Sequence, residues 1–426
     1  MLDLSLLWKA AWDVFPYFDR VRDWDETYRA FLPQVAAARP GRETWMLLAA
    51  FMARLEDGHT MFDFPASMRE QAGALPFALR YTCEGYLLSA CPKGWEKHLL
   101  APVRSINGRP FSKWLEEAYR YAYHVDDYVP AWRLEKILPL LLPENNELET
   151  PAGRVPFSLR ADCGTLIAAP CPSSSRAYRP VSDGKLEIRL YEGNLLYAAL
   201  PDCQYPDAAV EIARAIGRTR PDGVVLDLRD NIGGMTRYGG QVAELFISGE
   251  FHGCRKRTRL SRGVDIASGS QFMRMTRDEL ARLDGAEAPQ RCIDMLHGRS
   301  WEEYTDTYGA PGHIALYDGP CVLLASRRTV SAAEDTLAFF RSSHRAAVVG
   351  EPTCGTTGTP LLLRMPGGGS ARVCAVGYRL LDGTAFIGRG IAPDILLPAT
   401  REDLSRGEDA QLDRALTLLE GGTVTA

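Results

Sequence analysis

Residues 224–234 read Val-Val-Leu-Asp-Leu-Arg-Asp-Asn-Ile-Gly-Gly, and this stretch decides the fold class. Its first part is a short apolar run, which is typical of a strand buried on both faces of a sheet. Its last part ends in Gly233 and Gly234, where the main chain is able to approach a ligand closely and present its N–H groups. An ordinary turn is the alternative interpretation of this glycine pair.

Predicted strands and helices alternate on both sides of this stretch. Apolar runs predict three more strands, at 195–200, 321–325 and 346–349. Helical periodicity predicts helices between them, at 208–216, 239–246 and 332–341. This alternation predicts parallel βαβ units and an α/β fold. Because functional groups collect at the carboxyl ends of parallel strands, three segments that follow strands become candidates: 229–234, 326–331 and 350–358.

Ser331 lies between the predicted strand 321–325 and the predicted helix 332–341. At the start of a helix the serine hydroxyl lies at the positive end of the helix dipole, and the N–H of Ala332 is unpaired and available to an oxyanion. This placement suits a nucleophile. The alternative is a structural capping box, because Ser331 and Glu334 fit the pattern S-x-x-E.

His59 follows a stretch of helical periodicity that we predict to end at Asp57-Gly58. A histidine at the end of a helix commonly interacts only with the helix dipole, which is the alternative to a catalytic role. Imidazole is nonetheless the general base that a serine needs near neutral pH. The last lysine of the chain is Lys256, which excludes a serine–lysine dyad whose lysine follows Ser331.

Composition and charge exclude other classes of protein. The chain has 426 residues, which indicates more than one domain, and its net charge of −5 gives no reason to expect nucleic acid as a partner. A basic run at 255–259, with Arg262 nearby, is interpreted as a solvated loop or edge strand, or alternatively as a clamp for a substrate carboxylate. No apolar stretch is long enough to span a bilayer.

The N-terminus and the cysteines indicate a compartment. The first residues lack the basic segment of a signal peptide, so we expect a cytoplasmic protein. The ten cysteines form no C-x-x-C pair and no Cys/His cluster with zinc spacing. We interpret them as reduced, buried thiols, and we predict no metal or organic cofactor.

Four blocks of sequence follow one another with a characteristic order and spacing. They are 55–60 (Leu-Glu-Asp-Gly-His-Thr), 224–234, 331–334 together with 350–355, and 390–395 (Gly-Ile-Ala-Pro-Asp-Ile). Together they resemble the C-terminal processing (tail-specific) peptidase superfamily, peptidase family S41. The absence of a lysine after Ser331 makes the chain similar to the branch with the tricorn core protease, in a superfamily that also includes the interphotoreceptor retinoid-binding protein.

The resemblance implies a crotonase-like (ClpP/crotonase) α/β core and a division into three parts. Residues 1–70 are expected to form an N-terminal helical domain that carries the Asp-Gly-His-Thr motif. Residues 71–155 are expected to form a small β-rich module that weakly resembles a PDZ domain, with Asn107-Gly108 in a tight turn. Residues 156–426 are expected to form the catalytic core.

The resemblance also implies roles for individual residues. Ser331 becomes the nucleophile and His59 the base, with the amides of Gly233 (or Gly234) and Ala332 as the oxyanion hole. The sequence departs from the tricorn pattern at residue 58, where glycine replaces a serine, and at 386–389, where a glutamate is missing. The acid that orients His59 is therefore unassigned, and the candidates are Glu334, Glu351, Asp57 and Asp382.

We derive three hypotheses for the function. The first is a serine peptidase that cleaves peptides or unfolded proteins through an acyl-enzyme, which requires about 3 Å between the Ser331 hydroxyl and His59. The second is a catalytically degenerate protein that binds peptides or another ligand, with the two side chains roughly 6 Å or more apart. The third is acyl-CoA chemistry, which the sequence supports least because it has no phosphate-binding glycine loop.

Overall fold

The computed structural model describes residues 1–124, 128–160, 164–259, 272–273, 276, 280, 287–299 and 301–421. The helices are α1 (Leu2–Val14), α2 (Trp24–Ala37), α3 (Arg42–Ala53), α4 (Ala66–Ala72), α5 (Phe111–Tyr119), α6 (Ala131–Leu141), α7 (Ala208–Thr219), α8 (Thr236–Glu244), α9 (Glu287–Leu296), α10 (Ala332–Ser342), α11 (Arg401–Arg406) and α12 (Ala410–Glu420), with a short 3₁₀ helix at Glu96–His98. The strands are β1 (Met61–Asp63), β2 (Ala78–Thr82), β3 (Gly85–Cys91), β4 (Ser105–Ile106), β5 (Arg109–Pro110), β6 (Asn145–Thr150), β7 (Gly153–Ser158), β8 (Ile167–Ala168), β9 (Tyr178–Pro180), β10 (Ile188–Tyr191), β11 (Leu195–Ala199), β12 (Gly223–Asp227), β13 (Phe251–Arg259), β14 (Trp301–Tyr308), β15 (Cys321–Ala325), β16 (Ala347–Gly350), β17 (Pro360–Arg364), β18 (Ser370–Cys374), β19 (Val376–Arg379) and β20 (Ile395–Leu396).

A seven-stranded sheet with the order β20-β16-β15-β12-β11-β10-β9 forms the centre of the molecule. Neighbouring strands from β20 to β11 pair in parallel, while β10 pairs antiparallel with both of its neighbours. Every residue of β12, β15 and β16 is buried, which explains their continuous apolar sequences. The predicted α/β alternation is confirmed. Since these three strands are neighbours, the loops that follow them meet at one edge of the sheet.

The N-terminal helices share one hydrophobic core with this sheet. Leu7 of α1 is buried in the same hydrophobic core as Leu226 of β12 and Leu323 of β15. Trp24 of α2 stacks on Phe51 of α3, with their ring centroids 4.3 Å apart. The segment that follows α3 is therefore held against the main core.

The prediction that the third helix extends to Asp57-Gly58 was wrong, because α3 ends at Ala53. Glu56 has a φ of 49°, which is incompatible with a continuing right-handed helix. The carboxylate of Asp57 accepts the N–H of His59 at 3.0 Å, a local side-chain bond that competes with helical bonding. His59 thus lies in a turn and not at the end of a helix.

Helix α12 covers the opposite face of the sheet. Its Leu412 and Leu416 are buried together with Val225 and Val322. An ion pair joins this helix to the sheet, because the guanidinium of Arg229 lies 2.6 Å from carboxylate oxygens of Asp227, at the end of β12, and of Asp409, at the start of α12. This contact fixes the beginning of the loop after β12.

A smaller β-rich module lies between the N-terminal helices and the central sheet in sequence. It contains two antiparallel sheets, with the strand orders β2-β3-β8 and β5-β4-β6-β7, together with α5 and α6. Two residues from the loops of the central sheet, Val330 and Cys354, are buried in the hydrophobic core of this module. The likeness of the module to a PDZ domain, the crotonase-like character of the core and the division into three domains stay predictions.

The basic run lies on β13, which is the central strand of a separate three-stranded sheet, β14-β13-β19. The interpretation as a loop or edge strand was therefore wrong. Its Lys256 is buried and forms an ion pair with Asp306, and Arg257 pairs with Asp19 at 3.1 Å. These cations have carboxylate partners within the protein, which argues against a substrate clamp there. Arg262 lies outside the described residues.

None of the described cysteines is in a disulfide. Cys83 and Cys171 are exposed and the others are buried, so the prediction of buried thiols holds for most of the described cysteines but not for these two. Cys163 lies outside the described residues. In the described ranges, no helix is long and apolar enough to cross a membrane.

Candidate active site

Ser331 lies at the N-cap of α10, directly after the loop that follows β15. Its φ of 59° and ψ of −124° are unusual for a residue with a side chain, and such strain is commonly found at functional positions. The predicted capping box is formed, with the Ser331 N–H 3.3 Å from a carboxylate oxygen of Glu334. The same N–H donates to the carbonyl of Thr356 at 2.9 Å, so the main chain of Ser331 is held from two sides.

The imidazole of His59 faces the hydroxyl of Ser331. Nε2 of His59 lies 3.1 Å from Oγ of Ser331, which is within hydrogen-bond reach. The peptidase hypothesis requires about 3 Å at this point and the binding-protein hypothesis requires roughly 6 Å or more. The guanidinium of Arg133, on α6, donates to the carbonyl of Gly58 and so contributes to the position of the His59 turn.

The surroundings of His59 favour a neutral imidazole. Burial lowers the pKa of His59 to about 3, and the positive charges of Arg133 and Arg372 act in the same direction. A neutral imidazole has a lone pair on one ring nitrogen, which is what a general base needs. His59 is therefore unprotonated across the range in which an unperturbed histidine titrates.

The second ring nitrogen of His59 contacts a hydroxyl group. Nδ1 lies 2.8 Å from Oγ1 of Thr356, in the loop after β16. The carboxylates of the four predicted acids bind main-chain N–H groups instead of the ring. Glu334 and Asp57 accept N–H groups close to the site, and that of Asp57 belongs to His59 itself. Glu351 accepts the N–H of Ala399, and Asp382 accepts the N–H of Thr384 in an exposed turn. The prediction of a carboxylate against the His59 ring was therefore wrong. Thr356 takes that place.

Glu334 holds the loop that carries Thr356. Its carboxylate accepts the N–H of Gly355 at 2.8 Å and the N–H of Thr356 at 2.9 Å, and the hydroxyl of Thr353 donates to it as well. Glu334 is fully buried, and burial raises its pKa to about 7 even though these donors favour the charged form. The Glu334 carboxylate thus holds the loop that carries Thr356 in place.

The glycine pair after β12 lies against Ser331. Gly233 has a φ of 92° and Gly234 a φ of 147°, which side chains rarely allow. A Cβ atom on Gly233 would lie 2.6 Å from Cβ of Ser331, so only glycine allows this close approach. The main chain of Gly233 is consequently packed against Ser331.

Two N–H groups of this region have no partner among the residues that the structure describes. The N–H of Gly233 donates to Oδ1 of Asn231 at 2.9 Å, which does not fit its predicted use for an oxyanion and favours the alternative, Gly234. Within the described part of the chain, neither the N–H of Gly234 nor that of Ala332 makes a hydrogen bond. Ala332 directly follows Ser331, and Gly234 directly follows the glycine that packs against it.

Sequence reasoning missed three residues that shape the site, namely Thr356, Asn231 and Arg133. Asn231 is fully buried, and its amide donates to the carbonyl of Leu200 at 2.9 Å while it accepts the N–H of Gly233. Its position between a charged residue and the glycine pair was the only available signal. Arg133 lies in a different module and Thr356 in a polar loop, so neither carried a sequence signal that points to His59.

No cluster of three or more potential metal ligands (His, Cys, Asp or Glu) occurs among the residues that the structure describes. The site consists of a hydroxyl, an imidazole and main-chain donors. This set is able to carry out nucleophilic acyl transfer without further groups.

Solved structures with a similar fold match almost the whole chain. The mature form of CPAF matches with a TM-score of 0.71 at 14% identity, over 100% of this chain and 98% of the CPAF chain. A candidate peptidase from Parabacteroides merdae matches with a TM-score of 0.55 at 15% identity, over 98% of this chain and 95% of the other. At these identities, both show a shared fold.

The model of peptidase family S41 matches residues 194–397, which include β11 to β20, Gly233, Gly234 and Ser331. His59 and the helices before it lie outside that match. The part of the chain from residue 194 to residue 397 is therefore similar to peptidase family S41, and this similarity supports a serine-type peptidase.

Proposed function

We propose that this protein hydrolyses peptide bonds through an acyl-enzyme, with Ser331 as nucleophile and His59 as general base. The observation that carries the proposal is the 3.1 Å contact between Nε2 of His59 and Oγ of Ser331. The proton of the hydroxyl moves to Nε2 as the oxygen attacks the substrate carbonyl carbon. This role requires Nδ1 to carry its own proton, which it donates to Thr356.

The negative charge that forms on the substrate carbonyl oxygen needs preorganised donors. We propose the N–H groups of Gly234 and Ala332, because both are without a partner in the described chain, Ala332 directly follows Ser331, and Gly234 directly follows the glycine that packs against Ser331. Ala332 is the first residue of α10, so the helix dipole adds to the stabilisation. Removal of one such donor typically costs about 10²- to 10³-fold in kcat.

The remaining steps use the same groups. The protonated His59 donates its proton to the leaving amine as the C–N bond breaks, which leaves an ester on Ser331. A water molecule then attacks the ester while His59 takes the proton of the water, and the proton returns to Oγ of Ser331 when the C–O bond breaks. The substrates that fit this chemistry are peptides or unfolded protein segments.

The test is the variant Ser331→Ala. We expect it to lose peptide cleavage and to lose labelling by a serine-reactive phosphonate, because the attacking oxygen is absent. The matched control is Ser405→Ala, which removes an exposed hydroxyl on α11. Labelling that persists in Ser331→Ala, or absence of labelling in the unchanged protein, would contradict the proposal.

A second candidate is a degenerate protein that binds peptides without cleaving them. The observation in its favour is that no carboxylate of the described residues contacts the His59 ring, whose Nδ1 faces a hydroxyl. A serine and histidine without their acid still support reduced catalysis. Peptide binding by the unchanged protein, combined with no phosphonate label on Ser331, would favour this candidate.

A further inference from the structure

Thr356 contacts both proposed catalytic residues. Its carbonyl accepts the N–H of Ser331 at 2.9 Å, and its Oγ1 lies 2.8 Å from Nδ1 of His59. The third side of this triangle is the 3.1 Å contact between His59 and Ser331. One residue therefore fixes the main chain of the nucleophile and the ring of the base at the same time.

We propose that Thr356 is the positioning residue of His59, and that Glu334 supports the base only indirectly, by holding the loop of Thr356. This inference rests on the proposed function, because it explains how the base of that reaction is oriented. A neutral hydroxyl accepts the N–H of Nδ1 and so fixes both the ring plane and the proton on Nδ1. It offers no negative charge to the imidazolium that forms during the reaction.

The position of the Thr356 hydroxyl depends on the absence of a side chain at residue 58. A Cβ atom on Gly58 would lie 2.0 Å from Oγ1 and 2.4 Å from Cβ of Thr356. The threonine side chain thus occupies the volume that any side chain at residue 58 would take. Because Gly58 directly precedes His59, the space beside Gly58 lets the Thr356 hydroxyl reach the His59 ring.

The main chain around Thr356 is bonded in several directions. The carboxylate of Glu334 accepts the N–H groups of Gly355 and Thr356. The carbonyl of Gly355 accepts the N–H of Gly388 at 2.8 Å and the hydroxyl of Tyr123 at 3.3 Å. These bonds give the loop few alternative conformations, which is a condition for placing one hydroxyl within hydrogen-bond reach of an imidazole.

The first experiment compares Thr356→Val with Thr356→Ser in the full chain. Valine keeps the shape without the hydroxyl, and we expect kcat to fall on the order of 10- to 100-fold with KM nearly unchanged. Serine keeps the hydroxyl, and we expect kcat within about threefold of the unchanged protein. Thr82→Val, which removes a buried hydroxyl from the hairpin of β2 and β3, is the control for lost buried hydrogen bonds.

The second experiment moves the hydroxyl from one residue to the other. Gly58→Ser alone introduces the clash and Thr356→Gly alone removes the hydroxyl, so both are expected to lose activity. The double variant Gly58→Ser with Thr356→Gly restores a hydroxyl to the shared volume, and we expect it to exceed each single variant at least tenfold in kcat. A double variant that is no better than Thr356→Gly would overturn the inference.

Phosphonate labelling separates this inference from the proposed function. If Ser331→Ala abolishes labelling while Thr356→Val labels at the unchanged rate with unchanged kcat, the inference fails and the proposed function stands. If Ser331→Ala retains labelling, the proposed function fails first. The inference is supported by three results together. The phosphonate labels Thr356→Val slowly, the melting temperature of Thr356→Val equals that of the unchanged protein, and the phosphonate labels Thr356→Ser at the normal rate.

Discussion

Two loops at the same edge of the sheet serve Ser331, and they are built in opposite ways. In the loop 229–234 the anchoring side chain belongs to the loop, because Asn231 accepts the N–H of Gly233 and donates to the carbonyl of Leu200 outside it. The loop 353–358 is held from outside, by the carboxylate of Glu334 on α10. The glycine pair made the first loop recognisable from the sequence, whereas nothing within the second loop reveals that a residue of another element holds it.

The largest effect is expected at the glycine pair, in the variant Gly233→Ala. Its Cβ atom would meet Cβ of Ser331 at 2.6 Å, so the loop or the serine must shift. We expect kcat to fall about 10²- to 10³-fold, as for loss of an oxyanion donor. The measurement is steady-state peptide cleavage.

The control for Gly233→Ala is Gly94→Ala. Gly94 has a φ of 93°, almost equal to that of Gly233, but open space around its Cβ position. Both variants therefore introduce the same backbone strain, and only one introduces crowding. Equal losses of activity in the two variants would attribute the effect to strain and would refute a specific role for the first loop.

The next largest effect is expected at the support of the second loop, in Glu334→Gln. The amide replaces one acceptor oxygen by a donor that faces main-chain N–H groups, and each lost bond of this kind costs about 1–3 kcal/mol. We expect kcat to fall roughly tenfold through the displaced Thr356. A variant with unchanged kcat would show that the second loop is held without its carboxylate.

The stability of Glu334→Gln relative to the unchanged protein should depend on pH. The pKa of Glu334 is about 7 in the folded protein, above its ordinary value of 4.5. The folded state therefore retains a proton that the unfolded state loses, so this group destabilises the protein as pH rises from 4.5 to 7. Chemical denaturation should show the unchanged protein gaining stability relative to the variant between pH 8 and pH 5.

A smaller effect is expected from the titration of His59. Since its pKa is lowered to about 3, the base stays neutral at pH 5.5, where an ordinary histidine is mostly protonated. In the double variant Glu334→Gln with Asp335→Asn, which removes the two buried carboxyl groups of α10 whose pKa values are raised into this range, kcat/KM should change less than about twofold between pH 7.5 and pH 5.5. An acid limb near pH 6.5 in that background would show that His59 titrates normally and contradict the buried environment of the ring.

The smallest effect is expected from Asp230→Asn. Asp230 lies in the first loop, but it is exposed and pairs with the exposed Arg328 at 2.9 Å. Exposed ion pairs contribute about 0–1 kcal/mol, so both the melting temperature and kcat should stay close to those of the unchanged protein. A large loss would show that the first loop depends on more than Asn231 and its glycines.

Much of the fold could be predicted because the signal was local. The continuous apolar runs of β12, β15 and β16 identify buried parallel strands, and their loops therefore meet at one edge. The end of α3 was mispredicted because a single aspartate bond and one left-handed residue stopped the helix before its apolar pattern ended.

The site was predictable only as far as residue type reveals chemistry. A serine at the start of a helix, a histidine and a glycine pair after a buried strand rarely occur together in one chain, so the sequence pointed to Ser331, His59, Gly233 and Gly234. The partner of His59 was not predictable, because the search was for a carboxylate and the structure has a hydroxyl at that position. A threonine in a polar loop is too common to indicate a role before the loop is seen beside the imidazole.

The burial of Val330 and Cys354 inside the small module has a consequence for how the enzyme fails on heating. One residue precedes Ser331 and the other lies two positions before Thr356, so disruption of the module core releases both anchors of the reacting groups. Loosening of the module is therefore enough to inactivate the site, and it does not require the buried parallel strands to separate. How long activity survives on heating then depends on the stability of the module as well as on the sheet that bears the nucleophile.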